Sequence, residues 1–117
     1  MQRHARAPQT QPFGADAFEA GDGTVLRWLS MAGFLINSRG TTLMIDPLLG
    51  GFDKPVMIEF PVTADNVPRL DAVLVTHSDN DHYSVPTCRA LAAVTGEYHS
   101  TQYVASLMKQ EGARGAC

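Results

Sequence analysis

One heptapeptide constrains the fold and the chemistry of this chain more than any other segment: Thr76-His77-Ser78-Asp79-Asn80-Asp81-His82. It directly follows the apolar run 71–75 (DAVLV), which is typical of a buried strand. Side chains two residues apart on an extended chain point the same way, so His77 and Asp79 are predicted to converge. Asp81 and His82 lie where the chain must turn into the next segment, and we expect them to point in a different direction.

The residue types of this segment indicate a metal site. Imidazole nitrogens and carboxylate oxygens are common metal ligands, and the end of a strand is a rigid place to hold them. The division into His77 with Asp79 and Asp81 with His82 favours two neighbouring cations over one. The alternative is a solvated Asp/Asn turn that happens to carry two histidines.

The rest of the chain predicts a mixed sheet with helices on one face, an α/β (α+β) fold. Alternation predicts strands at 24–29, 32–38 and 41–45, joined as an antiparallel meander. The fourth strand, 71–76, is so apolar that burial on both faces is expected.

Helix signals follow the heptapeptide. Ser84 is a predicted N-cap, Pro86 suits the first turn, and Gly96 is the predicted stop. A short strand is expected at 97–99. A last helix is predicted from Thr101 to Gly112, with Val104, Leu107 and Met108 on one face.

Composition excludes several classes of protein. With 44% hydrophobic and 18% charged residues among 117, the chain suits one small globular domain. A net charge of −3 without a basic patch argues against nucleic acid as a partner, and no apolar run is long enough for a membrane span.

Residues 1–23 are interpreted as a flexible leader in which Phe13 and Phe18 contact the body, and 24–117 as the domain. Cys88 is expected to be buried, and a cytoplasmic location follows by default.

The heptapeptide resembles the signature of the metallo-β-lactamase superfamily of metal-dependent hydrolases, His-x-His-x-Asp-His after a buried strand. Here the matching residues are His77, Asp79, Asp81 and His82, with Asp79 where the family usually has its second histidine. The segment 28–36 (WLSMAGFLI), Gly40 and the run 43–47 (LMIDP) resemble the start of lactonase-like members, including the ascorbate-6-phosphate lactonase group.

The resemblance implies the N-terminal half of an αββα sandwich, with the metal site at one edge. His77 and Asp79 would ligate one metal and Asp81 and His82 a second, with Asp81 and His82 also assigned as catalytic. Asp46 would lie beside the ligands. A metal-activated hydroxide would attack a lactone, ester or phosphoester of a small molecule.

Two departures from the family pattern carry further expectations. Asp79 is a harder, anionic donor, so manganese or iron should compete better with zinc. The family's remaining ligands come from a second half that is not within these 117 residues, so the chain is expected to be a fragment that associates with itself through an exposed sheet face. A non-catalytic remnant and a metal-binding interaction module remain alternatives to a hydrolase.

Overall fold

A five-stranded sheet forms the centre of the molecule. The computed structural model describes residues 8–52, 56–79 and 81–110. In chain order the strands and helices are β1 (Thr24–Ser30), β2 (Gly33–Ser38), β3 (Thr41–Ile45), β4 (Leu70–Val75), α1 (Val85–Leu91), β5 (Thr95–Ser100) and α2 (Gln102–Gln110).

Neighbouring strands in the sheet are also neighbours in sequence, in the order β1-β2-β3-β4-β5. The first three form the predicted antiparallel meander, whereas β4 runs parallel to both β3 and β5. The sheet is therefore mixed. Because β3, β4 and β5 are parallel, their carboxyl ends meet at one edge of the sheet.

The buried core lies on one face of this sheet. Leu35, Met44, Val73 and Tyr98 form a continuous cross-strand row on that face, and each of them is at most 1% exposed. Both helices pack there, with Leu91 of α1 and the Val104 and Met108 side chains of α2 in the same buried cluster. These observations confirm the predicted sheet with helices on one face.

The first helix begins where the sequence predicted but ends earlier. The Ser84 hydroxyl accepts a hydrogen bond from the Thr87 backbone N–H at 3.3 Å, as an N-cap does. The helix ends at Leu91, whose carbonyl accepts a bond from the Thr95 hydroxyl at 2.7 Å. Gly96 lies within β5 and is no helix stop. A Cβ there would lie 3.0 Å from the Asp71 carbonyl oxygen, so the close approach of β4 explains the glycine.

The prediction that β4 is buried on both faces is wrong. Val73 and Val75 are buried on the helix side, whereas Ala72 and Leu74 on the other side are partly exposed. The apolar composition of β4 predicts cover on both faces, but α1 and α2 cover one face of the sheet.

The segment before β1 contributes to the core. A short 3-10 turn spans Ala15–Phe18, and Ala17 and Phe18 are buried. Phe18 belongs to the buried cluster and Phe13 packs against it, so both contact the body as predicted. Their ring centroids lie 6.1 Å apart. The division at residue 23 into leader and domain stays a prediction, and the expected stop at Gly112 lies outside the described residues.

No helix in the described ranges is both long and apolar enough to cross a lipid bilayer.

Candidate metal site

The candidate site lies at the carboxyl ends of two parallel strands. Asp46 directly follows β3, and Thr76 directly follows β4. The Asp46 backbone N–H donates to the Leu74 carbonyl oxygen at 2.8 Å, which continues the strand pairing to the edge of the sheet. Two residues 30 positions apart in sequence are thereby held side by side.

Asp46 is the most constrained residue of the site. Its side chain is buried, and Oδ1 accepts a hydrogen bond from the Thr76 backbone N–H at 2.7 Å. Oδ2 accepts a second bond from the Thr76 hydroxyl at 2.6 Å and lies 2.7 Å from Nδ1 of His82. With φ at 47°, Asp46 adopts a left-handed conformation that aspartate tolerates better than most residues.

The heptapeptide folds back on itself through a tight turn. The Asp79 carbonyl oxygen accepts hydrogen bonds from the backbone N–H groups of His82 at 2.9 Å and Tyr83 at 2.7 Å. This turn returns the chain toward β4 and places the imidazole of His82 against that of His77, with ring centroids 3.7 Å apart. The two histidines, five residues apart in sequence, are thus in direct contact.

The two outer carboxylates each lie near one histidine. Asp79 Oδ2 is 3.5 Å from His77 Nδ1, and the Asp79 backbone N–H donates to that same nitrogen at 3.3 Å. Asp81 Oδ2 lies 3.6 Å from His82 Nε2. Asp79 is exposed and Asp81 is partly exposed, so both have access to solvent.

The structure therefore brings together the residues that the sequence singled out, but as pairs. His77 contacts His82, and each histidine has its own aspartate. Over residues 8–52, 56–79 and 81–110, no three His, Cys, Asp or Glu side chains are grouped closely enough to hold a metal ion. The ligand roles of these four residues stay predictions.

Sequence reasoning missed two contributors to this edge. Thr76 supplies both a backbone and a hydroxyl donor to Asp46, and only its position after the strand could have indicated this role. The start of β2 also reaches the site. A Cβ on Gly33 would lie 3.0 Å from the Asp46 carbonyl oxygen. Just before it, Ser30 at the end of β1 and Met31 in the following turn have positive φ values of 95° and 47°, which their residue types do not indicate.

Comparison with known families identifies the superfamily of this chain. A model described as a beta-lactamase superfamily domain matches residues 25–113. The chain belongs to this superfamily. The match spans β1 to α2 and includes the whole heptapeptide, so it confirms the resemblance drawn from His77, Asp79, Asp81 and His82.

Relatives and solved structures extend the comparison. A curated relative described as a UPF0173 metal-dependent hydrolase, from Hyperthermus butylicus, is 39% identical over 57 residues, which cover 49% of this chain and 23% of the relative. The diiron beta-hydroxylase CmlA from Streptomyces venezuelae matches with a TM-score of 0.61 at 24% identity, over 83% of this chain and 21% of CmlA. A proposed metal-dependent hydrolase from Parabacteroides distasonis gives a TM-score of 0.57 at 16% identity, over 93% of this chain and 42% of that protein.

The two solved structures show that the fold is shared. This chain spans less than half the length of each of the three proteins.

Proposed function

We propose that this chain supplies part of a divalent-metal site in a metal-dependent hydrolase, with His77, Asp79, Asp81 and His82 as metal-binding residues. Asp46 is the positioning residue for His82. The observation that carries the proposal is the contact between a buried Asp46 carboxylate and His82 Nδ1 at 2.7 Å.

That contact determines which ring nitrogen of His82 is available to bind a metal. With Nδ1 donating its proton to Asp46, the lone pair of the neutral ring is on Nε2, the nitrogen that lies near Asp81. Metal-binding histidines commonly present one ring nitrogen to the metal while the other donates to a carboxylate. The two bonds from Thr76 keep Asp46 in place, so His82 is oriented before any metal arrives.

The donor set fits a divalent metal in its chemistry and is incomplete in its geometry. Two imidazoles and two solvent-accessible carboxylates suit zinc, manganese or iron. Since no three of them are grouped within the described ranges, we infer that a complete site needs further ligands from outside these residues. The greater length of the related proteins supports that inference.

In such a site a bound metal supplies Lewis acidity and lowers the pKa of a coordinated water to about 7. The residues of this chain contribute orientation and charge. Asp46 fixes the tautomer of His82. Asp79 and Asp81 would offset the positive charge of the metal ion. Superfamily membership and the printed name of the Hyperthermus butylicus relative support hydrolysis as the reaction class. For the substrate we propose a small lactone, ester or phosphoester, as in lactonase-like members.

A second candidate function applies to the 117 residues alone. With its site residues in pairs, the isolated chain is expected to bind a metal weakly and to hydrolyse little or nothing, as a metal-binding module would. Catalytic zinc sites usually have three protein ligands, and two per ion hold it loosely.

Calorimetric titration with Mn²⁺ or Zn²⁺ tests the proposed site. We expect weak binding that falls at least about tenfold in His82→Ala, since each additional ligand adds strongly to metal affinity. His99→Ala is the matched control, because His99 is an exposed histidine paired with Glu97 in β5. Equal binding by the chain and its His82→Ala variant would contradict the metal site, and robust hydrolysis by the chain alone would contradict its incompleteness.

Asp46→Asn tests the positioning role separately. An amide has one oxygen where the carboxylate accepts from Thr76 twice and also contacts His82, so at least one of these contacts is lost. We expect ¹⁵N NMR of the metal-free protein to show His82 with a mixture of tautomers in place of a single Nδ1–H form. An unchanged tautomer would remove Asp46 from the proposal.

A further inference from the structure

A groove of about 560 Å³ lies between strand β1 and the chain segment that precedes it. One wall is Leu26, Arg27 and Trp28 of β1, and the other is formed by residues 9–14 and Asp16. We call this cavity the β1 groove. Its volume is within the usual range of ligand-binding sites, about 300–1,000 Å³, and it shares no residue with the candidate metal site.

The wall opposite β1 is held by contacts outside the groove. The Thr10 hydroxyl donates to the Glu59 carbonyl oxygen at 2.5 Å, and the Phe13 backbone N–H donates to the Pro61 carbonyl oxygen at 3.1 Å. Within the described ranges, no hydrogen bond joins residues 9–14 to the backbone of β1. This segment therefore borders the groove without pairing with β1.

The outer edge of β1 presents backbone hydrogen-bonding groups to the groove. β1 is the first strand of the sheet, and in an antiparallel pair alternate residues direct both backbone groups to the partner strand. The Arg39 N–H donates to the Gly23 carbonyl oxygen at 3.1 Å, just before β1 begins. The register therefore assigns Arg27 to the residues that bond to β2. The backbone N–H and C=O groups of Leu26 and Trp28 point away from β2, and no backbone group of the described residues bonds to them there.

We propose that the β1 groove binds an extended peptide of a partner protein, which adds to the sheet as an antiparallel strand beside β1. The backbone of such a peptide supplies the donors and acceptors that pair with Leu26 and Trp28, which is how a free sheet edge recruits a strand. Antiparallel pairing is slightly more stable per residue than parallel pairing, and here it needs only three residues, about 10 Å of extended chain.

The side chains of β1 specify the sequence of the peptide. Leu26 and Trp28 point to the face of the sheet opposite the helices, whereas Arg27 points to the helix face. The Arg27 guanidinium lies 5.6 Å from the centre of the Phe13 ring, and none of the described acidic side chains forms an ion pair with it. Asp16 on the opposite wall is exposed, so solvent and salt screen its charge. Because directly opposed residues of paired strands share a face, the peptide that fits carries an acidic residue opposite Arg27, between two apolar residues.

A second copy of β1 fits this edge less well. A symmetric antiparallel pair that uses the outward backbone groups of both Leu26 and Trp28 sets Leu26 of one copy against Trp28 of the other. Arg27 of one copy then lies directly opposite Arg27 of the other, and like charges in that position are destabilising. A glutamate or aspartate of a partner peptide reverses the sign of this interaction.

NMR titration of the ¹⁵N-labelled 117-residue chain with the capped peptide Thr-Val-Glu-Val-Thr tests the proposal. We expect a dissociation constant on the order of 10⁻⁴ M, because a short strand gains few contacts against the cost of its own ordering. The backbone amide shifts of Leu26 and Trp28 should change most, since their N–H groups gain acceptors. Shifts confined to β5, the other edge of the sheet, or no binding at about 5 mM peptide would overturn the proposal.

Arg27→Gln tests the recognition of charge. It should weaken binding about three- to fivefold, the usual size of an opposite-charge pair across two strands. Arg39→Gln is the matched control, because it removes the same charge from the exposed β2–β3 turn, and it should change binding less than twofold. Arg27→Glu should prefer a peptide with lysine in place of glutamate, and thermal melting checks that each variant is folded. Equal weakening by both glutamine variants would show only bulk charge attraction and would overturn the proposal.

N-methylation of the peptide tests the strand itself. In an antiparallel strand beside β1, the two valines bond to Leu26 and Trp28, whereas the glutamate opposite Arg27 directs its backbone groups to solvent. N-methylation of either valine should therefore lower affinity about tenfold, and N-methylation of the glutamate less than twofold. Equal affinity of all these peptides would show that no strand forms. Amide shifts of Leu26 and Trp28 that depend on protein concentration without peptide would assign the edge to a second copy, and either result would overturn the proposal.

Discussion

The two faces of the sheet have the same kind of sequence and opposite surroundings. Along β3, Met44 faces the helices and is completely buried, whereas its neighbour Leu43 faces away from them and is partly exposed. The same contrast recurs along β2 between Leu35 and Ile36. Apolar side chains therefore mark a strand but do not identify which of its faces the chain itself covers.

The largest expected effect comes from truncating the two neighbours in β3. Met44→Ala removes a side chain from a packed core and should lower the free energy of unfolding by about 2–5 kcal/mol. Leu43→Ala removes a comparable side chain from the sheet face opposite the helices, where Leu43 stays partly exposed, and should cost less, about 1–2 kcal/mol, because part of its area remains in water after folding. Urea denaturation at 10 µM protein measures both. Equal losses would show that the sheet face opposite the helices is also packed within the monomer.

Buried polar side chains on the helix side of the sheet should give losses of unfolding free energy of intermediate size. Asn37 is buried there with three hydrogen bonds: its Nδ2 donates to the Ala17 and Glu19 carbonyls, both at 2.8 Å, and its Oδ1 accepts from the Gly40 N–H at 2.9 Å. Asn37→Ala should cost about 2–3 kcal/mol by leaving buried groups unpaired.

Ser30 is the contrasting case. It is fully buried, and its hydroxyl has no hydrogen-bond partner among the described residues. Ser30→Ala should therefore be neutral or stabilising by up to about 1 kcal/mol, and Ser30→Gly should add to this by relieving the φ of 95°. The urea midpoints of the two variants check this. A Ser30→Ala loss as large as that of Asn37→Ala would mean that the hydroxyl makes a necessary contact.

The smallest expected effects are in pH dependence. Burial raises the pKa of Tyr98, whose hydroxyl donates to the Cys88 carbonyl oxygen at 3.0 Å. A raised folded-state pKa gives stability that is present below about pH 10 and is lost as the pH rises through the folded-state value. Tyr98→Phe should remove that alkaline loss, which melting temperatures between pH 8 and 11 would show. An identical alkaline profile in the variant would count against it.

The half-exposed Asp71 should give a pH dependence of stability of the opposite sign, because its pKa is lowered. The Thr42 backbone N–H, 2.7 Å from Oδ2, and the neighbouring Arg69 guanidinium lower the pKa of this carboxyl. Its contribution is present above about pH 4 and is lost as the pH falls through the lower folded-state pKa. Because Asp71 is half exposed, Asp71→Asn should flatten acid unfolding between pH 2 and 5 only slightly. A large change would indicate that Asp71 is less solvated than its exposure implies.

Local signals determined much of this protein. Alternation located the first three strands to within one or two residues, because side chains of opposite faces follow each other with period two. The apolar run 71–75 located the fourth strand equally well. Ser84 and Pro86 located the start of α1, because a helix start needs a side-chain acceptor and tolerates proline. The heptapeptide identified the candidate site, since residues close in sequence at a strand end remain close after folding.

Features that depend on contacts between residues far apart in sequence were decided by the tertiary structure alone. Gly96 lies in β5 because the backbone of β4 approaches it, a contact that no local pattern contains. The superfamily resemblance placed Asp46 near the site, but its bonds to Thr76 and His82 arise only because β3 and β4 run parallel and end together. The cover of one sheet face is decided in the same way. The helix α1, which connects β4 to β5, and the helix α2, which follows β5, both pack on the same side of the sheet, whereas the strands carry apolar side chains on both sides.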